Sequence, residues 1–187
     1  MSPSIDPADE SPFEEPVDPT PTTADATDLM TRLDAAARRL DEHARLEKPT
    51  GLTEPDEGGT ERWEAGQVWT HIAEFVPYWH SQVEAVIGEY DGTPVPFGRM
   101  KTDPDRLAAI EMGHNASIAE QAAQTAEATN VAKRYLEGLT SAEWSAKGLH
   151  PIRGEMDVEA IVERFLVDHL EEHAQQLDGL RRAARSS

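Results

Sequence analysis

Residues 157–180 read DVEAIVERFLVDHLEEHAQQLDGL. Val158, Ile161, Val162, Phe165, His169, His173, Leu177 and Leu180 recur at intervals of three and four, which is one face of an α-helix. Asp157 stands where a helix wants its N-cap. Arg181, Arg182 and Arg185 follow at the far end, where cations suit the helix dipole and make a solvated C-terminal cap. An apolar stripe of this length must be covered by other helices, so the stretch argues for a helical bundle. Two histidines, four residues apart, lie on the stripe itself.

Working outward, three more helices precede it. The first starts at Thr27 or Asp28, carries Leu29, Leu33, Ala36, Ala37, Leu40 and Ala44, and is ended by Pro49 and Gly51. The second runs from about Trp63 to Tyr90, with Val68, Ile72, Phe75, Trp79, Val83 and Val86 on one face. Pro77 lies inside it and predicts a kink, because the ring clashes with the Ala73 carbonyl. The third opens on Asp103-Pro104, a helix-start pair, and its stripe continues through Ile110, His114, Ile118, Thr125, Ala132 and Leu136 to Leu139. No run of alternating Val, Ile or Thr supports a strand. The expectation is an all-α, four-helix bundle over residues 26–187. Residues 1–25 hold six of the thirteen prolines and seven acids with no Lys or Arg, a composition that predicts a disordered acidic tail.

Charge excludes several function classes. Seventeen basic residues face thirty-six acidic ones, a net charge of −19, which argues against nucleic acid and against an anionic membrane surface as partners. No apolar run approaches the roughly 20 residues of a membrane span. The N-terminus carries no secretory pattern, so a cytoplasmic protein is expected. The chain has no cysteine, which removes disulfides, thiolate ligands and any protein thiol nucleophile.

The histidines carry the chemistry. The spacing of His169 and His173 brings both imidazoles to one face, close enough to share one metal ion. His71, one turn from Val68 and Phe75 on the second helix, is a third candidate ligand. Three imidazoles leave a coordination position open, as catalytic sites do. The competing reading is three hydrogen-bonded core histidines. His169-Leu-Glu-Glu-His173 also matches H-x-x-E-H, but that pattern needs a ligand far downstream and only 14 residues follow His173. Glu111-Met-Gly-His114 matches a single E-x-x-H, whereas di-iron bundles need two. His114 is therefore read as a core or pocket residue, and His43 and His80 as surface residues. Trp63, Trp69 and Trp144 are read as packing, while Trp79 is placed to line a pocket beside His71. His150 and Arg153, in the loop before the last helix, are candidates for contact with an anionic cofactor, and Glu172, adjacent to His173, for orienting a metal ligand.

The segment WSAKGLHPIRGEM at residues 144–156, followed by His169-x-x-x-His173 and Gln175-Gln176-Leu177, resembles the DinB/YfiT-like superfamily, as does Trp69-Thr-His71-Ile-Ala73 on the second helix. This group includes the metal-binding domain of mycothiol-dependent maleylpyruvate isomerase. The resemblance covers roughly residues 26–182. It implies a four-helix bundle holding a metal, commonly zinc or nickel, through one residue of helix two and two of helix four. Carried over by position these are His71, His169 and His173. It also implies a small-molecule thiol, such as mycothiol or bacillithiol, as cosubstrate. The chain ends with its fourth helix, without the further domain of the isomerases, so a reaction other than maleylpyruvate isomerisation is expected.

Three functions follow as expectations. The first is a metal-dependent S-transferase or isomerase that activates a low-molecular-weight thiol toward an electrophile, with the thiol supplied from outside a cysteine-free chain. The second is a metal-assisted hydrolase, with water in the thiol's place. The third is a non-enzymatic, metal-binding or stress-associated bundle that forms a homodimer. Imidazole donors alone do not select among zinc, nickel, copper and iron.

Overall fold

The computed structural model describes residues 24–55 and 61–186. The tail expected over residues 1–25 lies outside them, except for Ala24 and Asp25, which open the first helix. Four long helices carry the architecture: α1 (Ala24–Ala44), α2 (Ala65–Glu89), α4 (Ile118–Glu137) and α7 (Asp168–Ser186). Between them stand β1 (Val95–Pro96), α3 (Pro104–Met112), α5 (Ser141–Trp144), β2 (Lys147–His150), β3 (Gly154–Asp157) and α6 (Val158–Val162). The helix α2 packs on α4, and α1 packs on both α4 and α7. Leu33 of α1, Val68, Ile72 and Val76 of α2, Leu136 of α4 and Leu170 and Leu177 of α7 are buried together. Each such side chain contributes about 1.5–3 kcal/mol through burial. Pro77 sits exposed on the outer face of a continuous α2. No helix among the described residues is long and apolar enough to cross a membrane.

The third helix departs from the single rod expected. It stops at Met112, passes through a tight 3-10 turn at Gly113–Asn115, and restarts at Ile118 with the Ser117 hydroxyl accepting from Glu120 N–H. The break comes from contact with α2. A Cβ on Gly113 would stand 2.4 Å from the Gln67 Cα, and one on Gly66 would stand 2.2 Å from the Gly113 carbonyl oxygen. Two backbones meet there without side chains between them.

The bundle is mainly helical as expected, and a small sheet, ordered β1-β2-β3, adds strands where none was expected. The strand β1 runs parallel to β2, with Val95 opposite Gly148. The strands β2 and β3 form an antiparallel hairpin pairing Lys147 with Asp157 and His150 with Gly154. The inward positions of β2 are Gly148 and His150, so its period-2 pattern lacks the β-branched residues that announce a strand. Gly148 is small because a Cβ would meet the Phe97 ring at 2.4 Å.

Two surface assignments are also corrected. His43 is buried, accepting at Nδ1 from Arg181 Nε (2.8 Å) while Nε2 faces Asp178 (3.0 Å). Arg181 therefore ties α7 to α1 rather than standing free as a cap. His80 is half-buried against the Tyr135 ring.

Candidate metal centre

The helix α2 presents its buried face to the start of α7, and His71, His169 and His173 meet between them. His169 Nε2 lies 3.0 Å from His71 Nε2 and 2.8 Å from His173 Nε2. One ligand atom from each residue falls within 4.8 Å of the others. Aromatic side chains fix the rings. Phe75 stacks on His169 at 3.6 Å between centroids, Trp63 stacks on His173 at 6.0 Å, and both meet the edge of His71.

The entry into α7 is not a regular helix. Residues Glu163–Val167 form a π turn between α6 and α7, one residue wider per turn than α. Arg32 of α1 braces it. Its guanidinium donates to Glu163 (2.9 Å), Asp168 (2.8 Å) and Glu171 (2.8 Å), and these partners hold its pKa above the ordinary arginine value. Local widening of this kind is common at functional sites. Here it leads directly into Asp168 and His169.

Electrostatics favour neutral imidazoles. Burial pushes His71 well below the ordinary histidine pKa, helped by His173 and by Arg106 and Arg99. Burial does the same at His169, with His173, His71 and Arg164 adding to it. Neutral imidazole is the ligand form. The hydrogen bonding points the same way. His173 Nδ1 donates to Gln176 Oε1 (2.8 Å), which leaves the lone pair of His173 on Nε2. His169 Nε2 offers one hydrogen or one lone pair, so it cannot make two linear hydrogen bonds to its two neighbours. His71 Nδ1, also buried, has no hydrogen-bond partner among the described residues, and a cation on Nε2 would not supply one. Protons alone leave this cluster unsatisfied, whereas one cation would take all three Nε2 lone pairs. Nitrogens each roughly 2.0–2.1 Å from one zinc ion stand about 3 Å apart, which the observed spacing approaches.

The cluster forms the floor of a cavity of about 470 Å³. Trp79, His150, Arg153 and Glu172 line it as well. Trp79 stacks on Phe165 at 3.8 Å between centroids, and His150 packs nearly parallel to both rings at 5.3 Å from Phe165 and 6.2 Å from Trp79. Two of the residues proposed from sequence behave differently from expectation. His114 is exposed and outside this cavity, in the 3-10 turn that breaks the third helix, where Nε2 is 3.3 Å from Gln67 Nε2. Glu172 does not orient His173. It pairs with Arg164 (2.9 Å) and lies 3.9 Å from His169 Nδ1, beyond hydrogen-bond reach. Gln176 holds His173 instead, and its position three residues on, within one helical turn, was the signal available in the sequence. Sequence reasoning also missed Arg99, Lys101, Arg106 and Arg164 in the cavity wall.

The family profile of the DinB superfamily matches residues 28–177. The chain belongs to the DinB superfamily. Among curated proteins, none matches this sequence. Among solved structures, this DinB protein is similar to YfiT from Bacillus subtilis, described as a probable metal-dependent hydrolase with an unusual four-helix bundle topology. The two superpose with a TM-score of 0.67 over 92% of this chain and 95% of YfiT, at 18% sequence identity. At that identity the likeness establishes the shared bundle topology of the DinB fold.

Proposed function

We propose that this protein is a metal-dependent enzyme that uses His71, His169 and His173 to hold one divalent transition-metal ion, zinc or nickel, and activates a low-molecular-weight thiol for transfer to an electrophile. The observation that carries the reading is the convergence of three Nε2 atoms on the floor of an open cavity. A structural metal site is closed by protein ligands, whereas this one has donors on one side and space on the other. A bound divalent ion would lower the pKa of a thiol or water placed in that space, supplying a nucleophile at neutral pH.

The chain's own residues do the rest. Gln176 holds His173 in the tautomer that points its lone pair inward. Phe75 and Trp63 keep the rings from turning and exclude water from behind them. Glu172, the carboxylate of the cavity wall among the described residues, would receive the proton that the thiol releases. The aromatic wall of Trp79 and Phe165 gives an apolar seat for the electrophile, whose leaving group departs as the new C–S bond forms. Since the chain has no cysteine, the sulfur must come from a small molecule such as mycothiol or bacillithiol.

A second reading, metal-assisted hydrolysis with water in the thiol's place, is favoured by the description of YfiT. The deciding experiment begins with elemental analysis of untagged protein beside a His169→Ala variant. About one equivalent of metal, lost in the variant, is expected. Turnover of monobromobimane that requires both metal and added thiol supports the transferase. Thiol-independent cleavage of esters or amides supports the hydrolase. Absence of metal after reconstitution overturns both.

A further inference from the structure

The cavity over the histidines differs in charge from the molecule that contains it. The chain carries thirty-six acidic residues against seventeen basic. The cavity wall reverses this, with Arg99, Lys101, Arg106, Arg153 and Arg164 against Glu172 alone. Three of these cations are already engaged. Arg99 makes a bidentate pair with Glu74 and reaches Asp103 (3.4 Å), with Tyr78 packed on its guanidinium. Arg164 is held by Glu172 and Asp168. Arg106 donates to the Lys101 carbonyl (2.8 Å) and stands 3.6 Å from Glu61.

Lys101 and Arg153 are different. Both are exposed at the cavity, and neither side chain has a carboxylate partner among the described residues. Arg153 is also placed with care. The backbone N–H groups of Ile152 and Arg153 both donate to His150 Nδ1, at 3.2 Å each, which fixes the turn that carries them. The Arg153 guanidinium lies 5.7 Å above the Phe165 ring. Ile152 beside it is 68% exposed although it lines the same cavity. In a protein this acidic, two unpaired cations at the mouth of one cavity run against the mean field and need a ligand to explain them. Apolar residues, Ile152 and Phe165 among them, line the same cavity.

We infer that the substrate of this site is an organic anion with an apolar body. Its carboxylate or phosphate group is bound by Arg153 and Lys101, and its body rests on Phe165 and Ile152. This rests on the cavity being the active site, but it does not need the metal as the anchor for the anion. Arg153 and Lys101 are then specificity residues: they select the charged substrate and orient it over the histidines. Neutral electrophiles of the same shape are poor ligands.

The test is a fluorescence titration of the full chain with phenylbutyrate, phenyl phosphate and neutral phenylbutyramide, read on the tryptophans that line the cavity. It is run on wild type, the Arg153→Gln/Lys101→Gln double variant and His169→Ala, with metal content measured on each sample. Both substituted cations are exposed, so the double variant folds as wild type does. At least one of the two anions should bind wild type tenfold or more tighter than the amide, and the tighter one names the head group. The double variant should lose that preference while keeping its metal. A preference that survives in the double variant overturns the inference, as does an amide that binds as tightly as both anions. The metal reading fails separately: a wild type that takes up no metal but still prefers the anion refutes the metal site and leaves this inference standing.

Discussion

His173 can offer its Nε2 lone pair to the cluster only while Nδ1 carries the proton, and Gln176 is the residue that keeps the proton there. Outer partners of this kind typically govern metal affinity by about 10–100-fold. Gln176→Ala should therefore weaken zinc binding by that factor in a chelator competition, with little change in thermal stability of the metal-free protein. Gln176→Glu, which can still accept from Nδ1–H, should restore most of it. Equal affinity in all three would remove Gln176 from the site. At this scale much of the centre was readable in advance. The convergence of His71, His169 and His173 follows from the spacing of two of them and the apolar face of the third. The role given to Glu172 was misplaced because adjacency in sequence puts it about 100° around the helix from His173, whereas Gln176 is on nearly the same face. His114 was misread because its stripe assumed an unbroken helix.

The break in that helix is itself a contact between elements. Gly113 and Gly66 let the 3-10 turn lie directly on α2, at distances where any Cβ would overlap backbone atoms. Gly113→Ala should force the two apart and cost about 1–3 kcal/mol through overpacking. A chemical denaturation curve would show it as a lowered midpoint. Gly88, near the other end of α2, has open space around its Cβ position, so Gly88→Ala should stabilise by about 0.5–1 kcal/mol. A Gly113→Ala variant as stable as wild type would show that the close approach is unnecessary. Neither this contact nor the pairing of β1 with β2 could be read from the sequence, because both depend on which distant segment lies opposite, whereas the local β2–β3 hairpin was hidden by its lack of β-branched residues. The π turn at Glu163–Val167 was hidden for a related reason. It is braced by Arg32, some 130 positions earlier, whose three carboxylate partners sit on and after the turn.

Over the whole molecule, acidity was plain from composition, but the basic cavity was not: Arg99, Lys101 and Arg106 come from one segment and Arg153 and Arg164 from another, and only the fold brings them to one wall. A second global property follows from the histidines. His43, His71, His80, His150 and His169 all have pKa values lowered mainly by burial. Below about pH 6.5 the unfolded chain takes up protons at these positions that the native state refuses. Their contribution to stability is thus complete above that pH and is lost as pH falls toward the lower native values. His71 and His169 are the most strongly shifted of the five. Carboxylates ordinarily titrate near pH 4, so their own effect falls below this window. Metal-free protein should accordingly lose stability between pH 7 and pH 5.5, read as a fall in Tm on acidification. Scanning calorimetry in chelator at both pH values measures it directly. A Tm that is flat or rises on acidification would mean that these imidazoles are hydrated in solution, and with that the dry, neutral histidine cluster on which the metal centre depends would be lost.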